Sequence, residues 1–374
     1  MRIGVPTEIM DQEHRVGMTP QVCGLLVAQG HEVYVQSGAG AGSHYPDDAF
    51  AAQGATLVAT ATELWNAAEV VVKVKQPLPP EYPHLRPGLL LYCFLHLAAE
   101  PGLTETLLRA NVTGIAAETI ETVDGALPVL APMSEIAGKM TLQVAAHLLS
   151  KPAGGIGRLL SGVVGVPPAK VLVLGGGTVG TAAARMALGV GAEVTVLDRS
   201  HRRLVYLQEA LHGNLVTMLA NEVALASLVP DTDVMVGAIL VPGARTPALV
   251  PCSLISTMRE GSVAIDVSID QGGCFETSRP THHSAPTYVV DGVIHYCVVN
   301  MPGAVPRTSS QAFAASSYPY IAQVAAQGLE GSLTDPAIAK GVNTYRGHVA
   351  YRAVAESLGL EYVPLNSLVS GAAA

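Results

Sequence analysis

Short apolar runs rich in β-branched residues alternate with Ala- and Leu-rich windows through the first quarter of the chain. The runs predict strands over Arg2–Val5, Glu32–Gln36, Val70–Val74 and Leu89–Leu95, and the window Thr19–Gln29 predicts a helix. Strands that alternate with helices in this way are typical of βαβ units. The N-terminal part of the chain is therefore expected to form a mostly parallel sheet.

A second alternation begins near residue 170. It predicts a strand, a helix and three further strands, over Lys170–Leu174, Val179–Val190, Glu193–Leu197, Val234–Gly237 and Ser262–Val267. The chain has 374 residues, which is enough for two domains of ordinary size. The predicted fold class is accordingly α/β, with two Rossmann-like domains whose parallel sheets are doubly wound.

Two segments link these patterns. A helix predicted over Pro132–Ser150, followed by the Gly-rich stretch Ala153–Gly165, is expected to cross between the domains. Near Asn300 the strand pattern stops, and Ser309–Gly328 and Ser332–Leu358 are predicted to be helical, so the tail is expected to pack back on the first domain. The expected boundaries are 1–131, 132–300 and 301–374.

Composition and charge exclude several classes of protein. Charged residues make up only 14% of the chain and hydrophobic residues 49%, which excludes intrinsic disorder. The formal net charge is −9, and the only basic cluster is Arg199, Arg202 and Arg203, so no nucleic-acid partner is expected. Without a signal core or a membrane-length apolar run, the protein is expected to be soluble and cytoplasmic, with no membrane partner. Five widely spaced cysteines predict neither a disulfide framework nor a zinc site.

The strongest local motif is a Gly-rich loop between a strand and a helix. Gly175-Gly-Gly177-Thr-Val-Gly180 follows the apolar run Lys170–Leu174 and precedes an Ala-rich window. A lone G-x-G-x-x-G carries little weight, but a strand before it and a helix after it are the context that dinucleotide binding requires. The glycines allow a tight turn, close approach of a pyrophosphate and close packing of the helix on the sheet. The alternative is a tight turn without a ligand.

The next strand ends at an acid, Asp198, which lies 18 residues beyond Gly180 (198 − 180 = 18). A carboxylate there can accept both ribose hydroxyls and would repel a 2′-phosphate, which favours NAD over NADP. The neighbouring Arg199, Arg202 and Arg203 leave the alternative open, because a guanidinium could bind that phosphate.

Four ionisable side chains follow predicted strands: Arg15, Lys75, His96 and Asp270. Ligands of open parallel sheets bind outside the carboxyl ends of the strands. The two cations suit a small anionic substrate, since guanidinium can bind a carboxylate in a bidentate fashion and ammonium can hold a second oxygen. Histidine and aspartate can move protons near neutral pH.

Each of these residues also has an ordinary structural interpretation. Arg15 and Lys75 could be surface charges, His96 could be a hydrogen-bonded core histidine, and Asp270 could shape the Asp-Gln-Gly-Gly turn. Asp266 competes with Asp270 for the same role. From composition and spacing alone, the chain is a nucleotide-binding α/β protein and an unspecified oxidoreductase.

Several longer segments closely resemble the L-alanine dehydrogenase family. They are MRIGVPTE (1–8), EHRVGMTP (13–20), VKVK (72–75), FLHLAA (94–99), APMSEIAG (131–138), GAILVPG (237–243), DQGGCFE (270–276) and VNMPGAVP (299–306). The matches to this family run from residue 1 to about residue 345, which spans nearly the whole chain.

The resemblance implies reversible oxidative deamination of L-alanine to pyruvate and ammonium with NAD, in a cleft between a substrate domain and a nucleotide domain. In that family both chain ends build the substrate domain, so the nucleotide domain is an insertion. The family also implies a homo-oligomer, usually a hexamer.

Carried to matching positions, the resemblance assigns Arg15 and Lys75 to the substrate carboxylate and oxo group, Met133 and Asn300 to the substrate, and His96 and Asp270 to catalysis. The residues that it places against the cofactor are Ser134, Gly175, Gly177, Thr178, Val179, Gly180, Asp198, Arg203, Ile239, Leu240, Val267, Ser268, Ile269, Arg279, Val298 and Met301.

Three positions depart from the family pattern. Ala220 stands where a cofactor-contacting Ser is common, and Ile156 stands where Arg is usual. Gln327 replaces a His that in some members is proposed to hold a divalent ion together with an acid at Glu118, so no metal is predicted. The alternatives to an alanine dehydrogenase are the soluble NAD(H)-binding part of a transhydrogenase and a non-catalytic NAD-binding sensor.

Overall fold

The computed structural model describes residues 1–239 and 246–370 and divides into two compact units. The first unit contains Met1–Met133 and the residues from Gly303 onward, and the second contains Ser134–Pro302. In sequence, the second unit is an insertion in the first.

The strands and helices alternate through most of the chain. The strands are β1 (Arg2–Val5), β2 (Glu32–Gln36), β3 (Thr56–Val58), β4 (Val70–Lys75), β5 (Leu90–Phe94), β6 (Thr113–Ala116), β7 (Lys170–Leu174), β8 (Glu193–Asp198), β9 (Leu215–Leu219), β10 (Val234–Gly237), β11 (Val263–Asp266), β12 (Thr287–Val290), β13 (Val293–Tyr296), β14 (Val342–Tyr345) and β15 (His348–Val349). The helices are α1 (Pro20–Ala28), α2 (Asp47–Ala51), α3 (Ala61–Ala67), α4 (Pro101–Arg109), α5 (Leu130–Leu148), α6 (Thr178–Gly189), α7 (His201–Ala210), α8 (Glu222–Leu228), α9 (Cys252–Ile255), α10 (Pro306–Ser332), α11 (Pro336–Gly341), α12 (Arg352–Leu358) and α13 (Leu365–Ser370).

Each unit is built on one sheet. The sheet of the first unit has the order β15-β14-β6-β5-β4-β1-β2-β3, and that of the second has the order β12-β13-β11-β10-β7-β8-β9. From β3 to β6, and from β9 to β13, the neighbouring strands run parallel. In both sheets the strand order reverses beside the first strand of the unit, which is where doubly wound folds bind ligands. The α/β prediction with two doubly wound sheets is confirmed.

The helices begin where the sequence supplies caps or prolines. Thr19 accepts a hydrogen bond from the Val22 amide at the start of α1, and Pro20 occupies its first turn. At α3, Thr60 and Glu63 form a capping box. Both sheets are covered by apolar side chains, with Trp65 and Leu91 in the core of the first unit and Leu172 and Phe275 in that of the second. These cores hold the strand ends in place.

The helix predicted over Ser309–Gly328 is confirmed by α10, whereas the prediction that Ser332–Leu358 is helical is wrong. Within Ser332–Leu358 the structure has β14 and β15, and β14 pairs antiparallel with β6. The turn between them, Arg346-Gly347, has φ values of 50° and 76°. Two consecutive residues with positive φ are typical of a tight hairpin turn that matches the twist of its strands. Asp291-Gly292 makes a similar turn between β12 and β13, also antiparallel, so each parallel sheet has an antiparallel edge.

In the described ranges, none of the helices is long and apolar enough to cross a membrane.

Candidate active site

In the second unit, β7 leads through the Gly-rich loop into α6. Gly175 has a φ of 99°, and a Cβ at Gly180 would lie 1.8 Å from the Gly175 carbonyl oxygen, so neither position tolerates a side chain. Gly177 differs, because among residues 1–239 and 246–370, apart from its chain neighbours and its own helix, no atom lies within 4 Å of where its Cβ would be. These residues therefore do not require glycine at position 177, whereas close approach of a ligand to that backbone would. This loop fits a dinucleotide pyrophosphate.

The acid at the end of β8 holds this loop. Asp198 accepts the Gly176 amide at 2.7 Å through Oδ2 and the Ser200 amide at 2.7 Å through Oδ1. Arg203 turns toward the loop as well: its Nη2 donates to Thr181 Oγ1 at 2.8 Å, its Nε donates to the Gly176 carbonyl oxygen, and the guanidinium lies over the Tyr206 ring. Of the three arginines that could meet a 2′-phosphate, Arg203 is thus engaged by the protein.

Most of the other predicted cofactor residues of the second unit lie after β10, β11 and β13, whereas Ser134 lies in α5 and Thr178 and Val179 lie in α6. Ser268 Oγ accepts the Ile239 amide at 2.9 Å, which joins the ends of β10 and β11. The Arg279 guanidinium lies 4.1 Å from the centre of the Tyr288 ring. Ile269, Val298 and Met301 are buried, Ser134, Val179, Ile239 and Val267 are half-buried, and Thr178 is exposed. Leu240 lies outside the described residues.

The structure separates the two aspartates that compete for the catalytic role. Asp266 is fully buried and accepts the amides of Ser268 and Cys274 and the hydroxyl of Ser278, at 3.0, 2.7 and 2.5 Å. Its carboxylate therefore organises the turn after β11. Asp270 lies in the short helix of that turn, Val267–Gln271, and is exposed. Asp270 is thus the aspartate whose position suits contact with a ligand.

Asn300 is held in an unusual backbone conformation. It is buried, its φ is 70°, and its carbonyl oxygen lies 3.0 Å from His283 Nε2. In the structure His283 anchors the segment that carries Asn300 and Met301.

In the first unit, Arg15 is buried against Glu13. Arg15 donates to Glu13 through Nε at 2.7 Å and through Nη2 at 2.5 Å, and its Nη1 lies 3.6 Å from Met133 Sδ. The exposed fraction of the Arg15 side chain is only 2%. The interpretation of Arg15 as a solvated loop charge is therefore wrong, since a guanidinium buried this far keeps a fixed orientation.

Lys75 ends β4 beside a second, deeper lysine. Lys73 is fully buried and forms ion pairs with Glu81 and with Glu8, whose Oε2 lies 3.5 Å from Lys73 Nζ. Burial disfavours its charge, but the two carboxylates outweigh burial, and the pKa of Lys73 lies above its ordinary value. Glu8 Oε1 accepts the Val74 amide at 2.6 Å and the Lys75 amide at 3.4 Å. Lys73 is therefore structural, and its network holds the backbone that carries Lys75, which is buried to 7% exposure.

His96 lies just beyond β5 with a φ of 50°. Its ring stacks on Phe94, with the ring planes 15° apart. The His96 side chain is 37% exposed, and its partial burial, and then the positive charges of Lys75 and Arg15, lower its pKa. The first unit thus brings Arg15 and Lys75 close enough to His96 for their charges to act on its ring. Met133 lies against Arg15.

The sequence did not indicate that Glu8, Glu13 and Lys73 hold this group, and it named Glu118 only as an acid beside a possible divalent ion. Glu118 follows β6, and its carboxylate accepts the backbone amides of Leu95 and His96. Only Glu13 carried a local signal, because Glu-x-Arg can place a carboxylate beside the guanidinium. Within the described ranges, no cluster of three or more His, Cys, Asp or Glu residues could hold a metal ion.

Comparison with known proteins assigns both parts of the chain to one family. The family described as "Alanine dehydrogenase/PNT, N-terminal domain" matches residues 4–137, and "Alanine dehydrogenase/PNT, C-terminal domain" matches residues 141–352.

Individual relatives match over nearly their whole length. An alanine dehydrogenase of Halomonas elongata is 51% identical, with 99% of this chain and 100% of that protein covered, and one of Bacillus subtilis is 48% identical, with 97% and 96% covered. A solved structure titled L-alanine dehydrogenase superposes with a TM-score of 0.92 at 47% identity, covering 96% of this chain and 99% of that one. A transhydrogenase from Sinorhizobium meliloti, with a TM-score of 0.81 at 22% identity, covers 93% and 100% and shares the fold. The chain therefore belongs to the alanine dehydrogenase/PNT family, and the resemblance read from its sequence is confirmed.

Proposed function

We propose that this protein is an NAD-dependent alanine dehydrogenase, which reversibly converts L-alanine to pyruvate and ammonium. The observation that carries the proposal is that three neighbouring parallel strands, β1, β4 and β5, lead to two buried cations, Arg15 and Lys75, and to His96. Both cations lower the pKa of His96. A site with two cations and one neutral imidazole suits a small carboxylate whose reaction requires proton transfer. Relatives named alanine dehydrogenase match nearly the full chain.

Arg15 and Lys75 would bind the substrate. Glu13 holds the Nε and Nη2 edge of Arg15, which fixes the plane in which the guanidinium meets a carboxylate. Lys75 would hold the carboxylate and stabilise the oxygen that becomes the oxo group of pyruvate. Met133, whose sulfur lies beside Arg15, would pack against the substrate methyl.

His96 and Asp270 would move the protons. NAD, when bound, accepts a hydride from the alanine Cα, and this leaves an iminium on the substrate. Water must then lose a proton and add to that carbon before ammonia leaves. The lowered pKa keeps His96 neutral near pH 7 while no substrate is bound. A bound carboxylate would offset the charges of Lys75 and Arg15 and thereby raise the pKa of His96, so that the imidazole could accept that proton. The family resemblance supports pairing His96 with Asp270.

The second unit would bind NAD rather than NADP. The space beside the Gly177 backbone would accommodate a pyrophosphate, and Asp198, at the end of β8, lies beside the Gly-rich loop. A carboxylate has lone pairs for more than the two amides that it accepts here, so Asp198 can also accept ribose hydroxyls. Its charge would repel a 2′-phosphate. The assignment of the first unit to substrate and the second to NAD, the cytoplasmic location and the hexamer belong to the same proposal.

The direct test is NADH formation, followed by absorbance, with purified protein, NAD and L-alanine. Parallel reactions replace NAD by NADP, or L-alanine by D-alanine, L-serine or glycine, and the reverse reaction uses pyruvate, ammonium and NADH. We expect turnover in both directions, with L-alanine preferred over D-alanine and NAD over NADP. His96→Ala should lose most of this turnover and still bind NADH.

Two results would overturn the proposal. Absence of turnover in either direction, with NADH binding intact, would favour a transhydrogenase-like subunit or an NAD-binding sensor. Full turnover by His96→Ala would remove His96 from the mechanism.

A further inference from the structure

Glu118 lies where the backbone pairing between β5 and β6 stops. The last pair in the parallel register is Cys93 with Ala116. Beyond this pair, the Glu118 carboxylate replaces the backbone of β6 as the hydrogen-bond acceptor. Its Oε2 accepts the Leu95 amide at 3.1 Å, and its Oε1 accepts the His96 amide at 2.6 Å. One side chain thus binds two consecutive amides of the segment that ends in His96.

This segment needs such support, because His96 has a φ of 50°. The left-handed region is unfavourable for a residue with a Cβ, and it persists only where the surroundings hold it. The Leu95 amide belongs to the Phe94–Leu95 peptide and the His96 amide to the Leu95–His96 peptide, so the two bonds to Glu118 fix the orientation of two consecutive peptides, the second of which leads into His96. Rotating the peptide out of this conformation would break at least one charge-assisted hydrogen bond.

The carboxylate acts on the backbone and not on the ring. Glu118 Oε1 lies 3.9 Å from His96 Nδ1, which is too long for a hydrogen bond. The ring instead stacks on Phe94, which packs against Phe313 of α10. Glu118 therefore fixes the backbone position from which the His96 side chain extends, and Phe94 fixes the plane of the His96 ring.

Glu118 itself is held and largely buried. The exposed fraction of its side chain is 13%, and burial raises the pKa of its carboxyl group. The next residue, Thr119, accepts a hydrogen bond at 2.7 Å from Asn343 Nδ2 on β14. A carboxylate kept in such surroundings is costly unless its hydrogen bonds repay the desolvation.

We propose that Glu118 is a positioning residue for His96, which it holds in the left-handed conformation that aims the imidazole at the substrate. The inference rests on the proposed function, since it takes His96 as the proton acceptor. Glu118 contributes to turnover through His96 and makes no contact with substrate of its own. Its removal should lower kcat and leave KM for pyruvate and NADH binding nearly unchanged.

The test is a double-mutant cycle with Glu118→Gln, His96→Ala and the combined variant, assayed for kcat and KM in the pyruvate direction. The glutamine keeps the size of the side chain, but its NH₂ group would face a backbone N–H donor. We expect Glu118→Gln to lower kcat roughly 10- to 100-fold, since small misplacements of a catalytic group have effects of this size. In the His96→Ala background the same change should have an effect below about twofold, because two residues that act as one unit are not additive.

Glu121→Gln is the matched control. Glu121 lies in the same segment and pairs with Lys340 at 2.6 Å, and its carboxylate is not among the acceptors of the Leu95 and His96 amides. The Glu121→Gln variant should leave kcat unchanged. If Glu118→Gln does not fold, Glu118→Asp, whose carboxylate falls one methylene short of the two amides, enters the same cycle.

The outcomes separate this inference from the proposed function. Equal losses of kcat in both backgrounds would show a general structural role for Glu118 and overturn the inference. A normal Glu118→Gln enzyme beside an inactive His96→Ala enzyme would overturn it too, with the proposed function intact. An active His96→Ala enzyme would overturn the proposed role of His96 and this inference together.

Discussion

Arg15 and Glu13 form a buried, bidentate ion pair across a single intervening residue. Nε and Nη2 of the guanidinium meet the two carboxylate oxygens at 2.7 and 2.5 Å, and Glu13 Oε1 also accepts the Arg15 amide at 3.0 Å. A bidentate pair fixes both distance and plane. The orientation of the guanidinium is therefore set before any substrate binds.

Glu13→Gln should weaken both the fold and the substrate site. A glutamine offers one acceptor instead of two, and it leaves a buried positive charge without its counterion, which costs about 3 kcal/mol or more of unfolding free energy. We expect urea unfolding to shift accordingly and KM for pyruvate to rise at least about 10-fold, with NADH affinity retained.

The control for this change is Glu105→Gln. It breaks the exposed pair with Arg109, whose side chains are 72% and 79% exposed, and should alter stability by less than about 0.5 kcal/mol. Equal effects of the two substitutions would show that the Arg15–Glu13 pair has no special role.

His96 makes stability depend on pH in a definite direction. Its pKa in the folded protein is lowered, first by burial and then by Lys75 and Arg15, from an ordinary value of 6.5. Below about pH 6.5 the unfolded chain binds a proton that the folded chain does not, so stability falls as pH falls. His96→Gln should reduce that fall, measured as the change in urea midpoint between about pH 7.5 and 5.

Two comparisons isolate this contribution. Glu8, whose pKa burial raises to about 6, acts with the opposite sign, so the quantity to compare is the difference between wild type and variant. Lys75→Met should raise the pKa of His96 and thereby also flatten the pH dependence. An unchanged slope in both variants would show that the pKa of His96 is ordinary.

Gly177→Ala should affect cofactor binding, whereas Gly180→Ala should affect folding. A Cβ at residue 177 would contact none of the residues described beyond its own chain neighbours and helix, and the φ of Gly177 is −65°, so alanine should leave the melting temperature unchanged. It would occupy the space into which we place the pyrophosphate, and the Kd for NADH should rise about 10-fold or more. A Cβ at residue 180 would lie 1.8 Å from a backbone oxygen and should impair folding itself. NADH binding to Gly177→Ala with wild-type affinity would contradict the predicted cofactor site.

Asp270→Asn and Asp266→Asn should separate catalysis from structure. The exposed Asp270 should leave the unfolding midpoint unchanged, while kcat falls at least about 100-fold, as is usual when a proton-transfer group is lost. Asp266→Asn replaces one carboxylate oxygen that accepts a buried amide by an NH₂ group, and it should destabilise the protein by roughly 1–3 kcal/mol. The reverse pattern, with Asp266→Asn stable and inactive, would assign the catalytic role to Asp266.

The sequence predicted those parts of the fold that depend on local patterns. Strands such as Lys170–Leu174 and the Gly-rich loop were predictable because apolar runs and glycine spacing are local signals. The β14–β15 hairpin was not, because Arg-Gly is a weaker turn signal than Asn-Gly, and because Val342–Tyr345 becomes a strand by pairing with β6, more than 200 residues earlier.

The candidate site shows the same difference between features with a local sequence signal and features that depend on distant residues. Arg15, Lys75, His96 and Asp270 could be proposed because they follow predicted strands. The residues that hold them could not. Glu118, which follows β6, contacts the backbone of His96, which follows β5, and Glu8 contacts Val74 across 66 residues. Such distant pairs leave no trace in a single sequence.

The position of β14 in its sheet also has a consequence for how the protein is made. The second unit is continuous in sequence, from Ser134 to Pro302, and can complete its sheet during synthesis as soon as it leaves the ribosome. The first unit cannot, because β6 is synthesised early and its neighbour β14 late. Until then the edge of β6 exposes unpaired amides and carbonyls to other chains. Nascent or C-terminally truncated chains should therefore depend on chaperones more than the finished protein does.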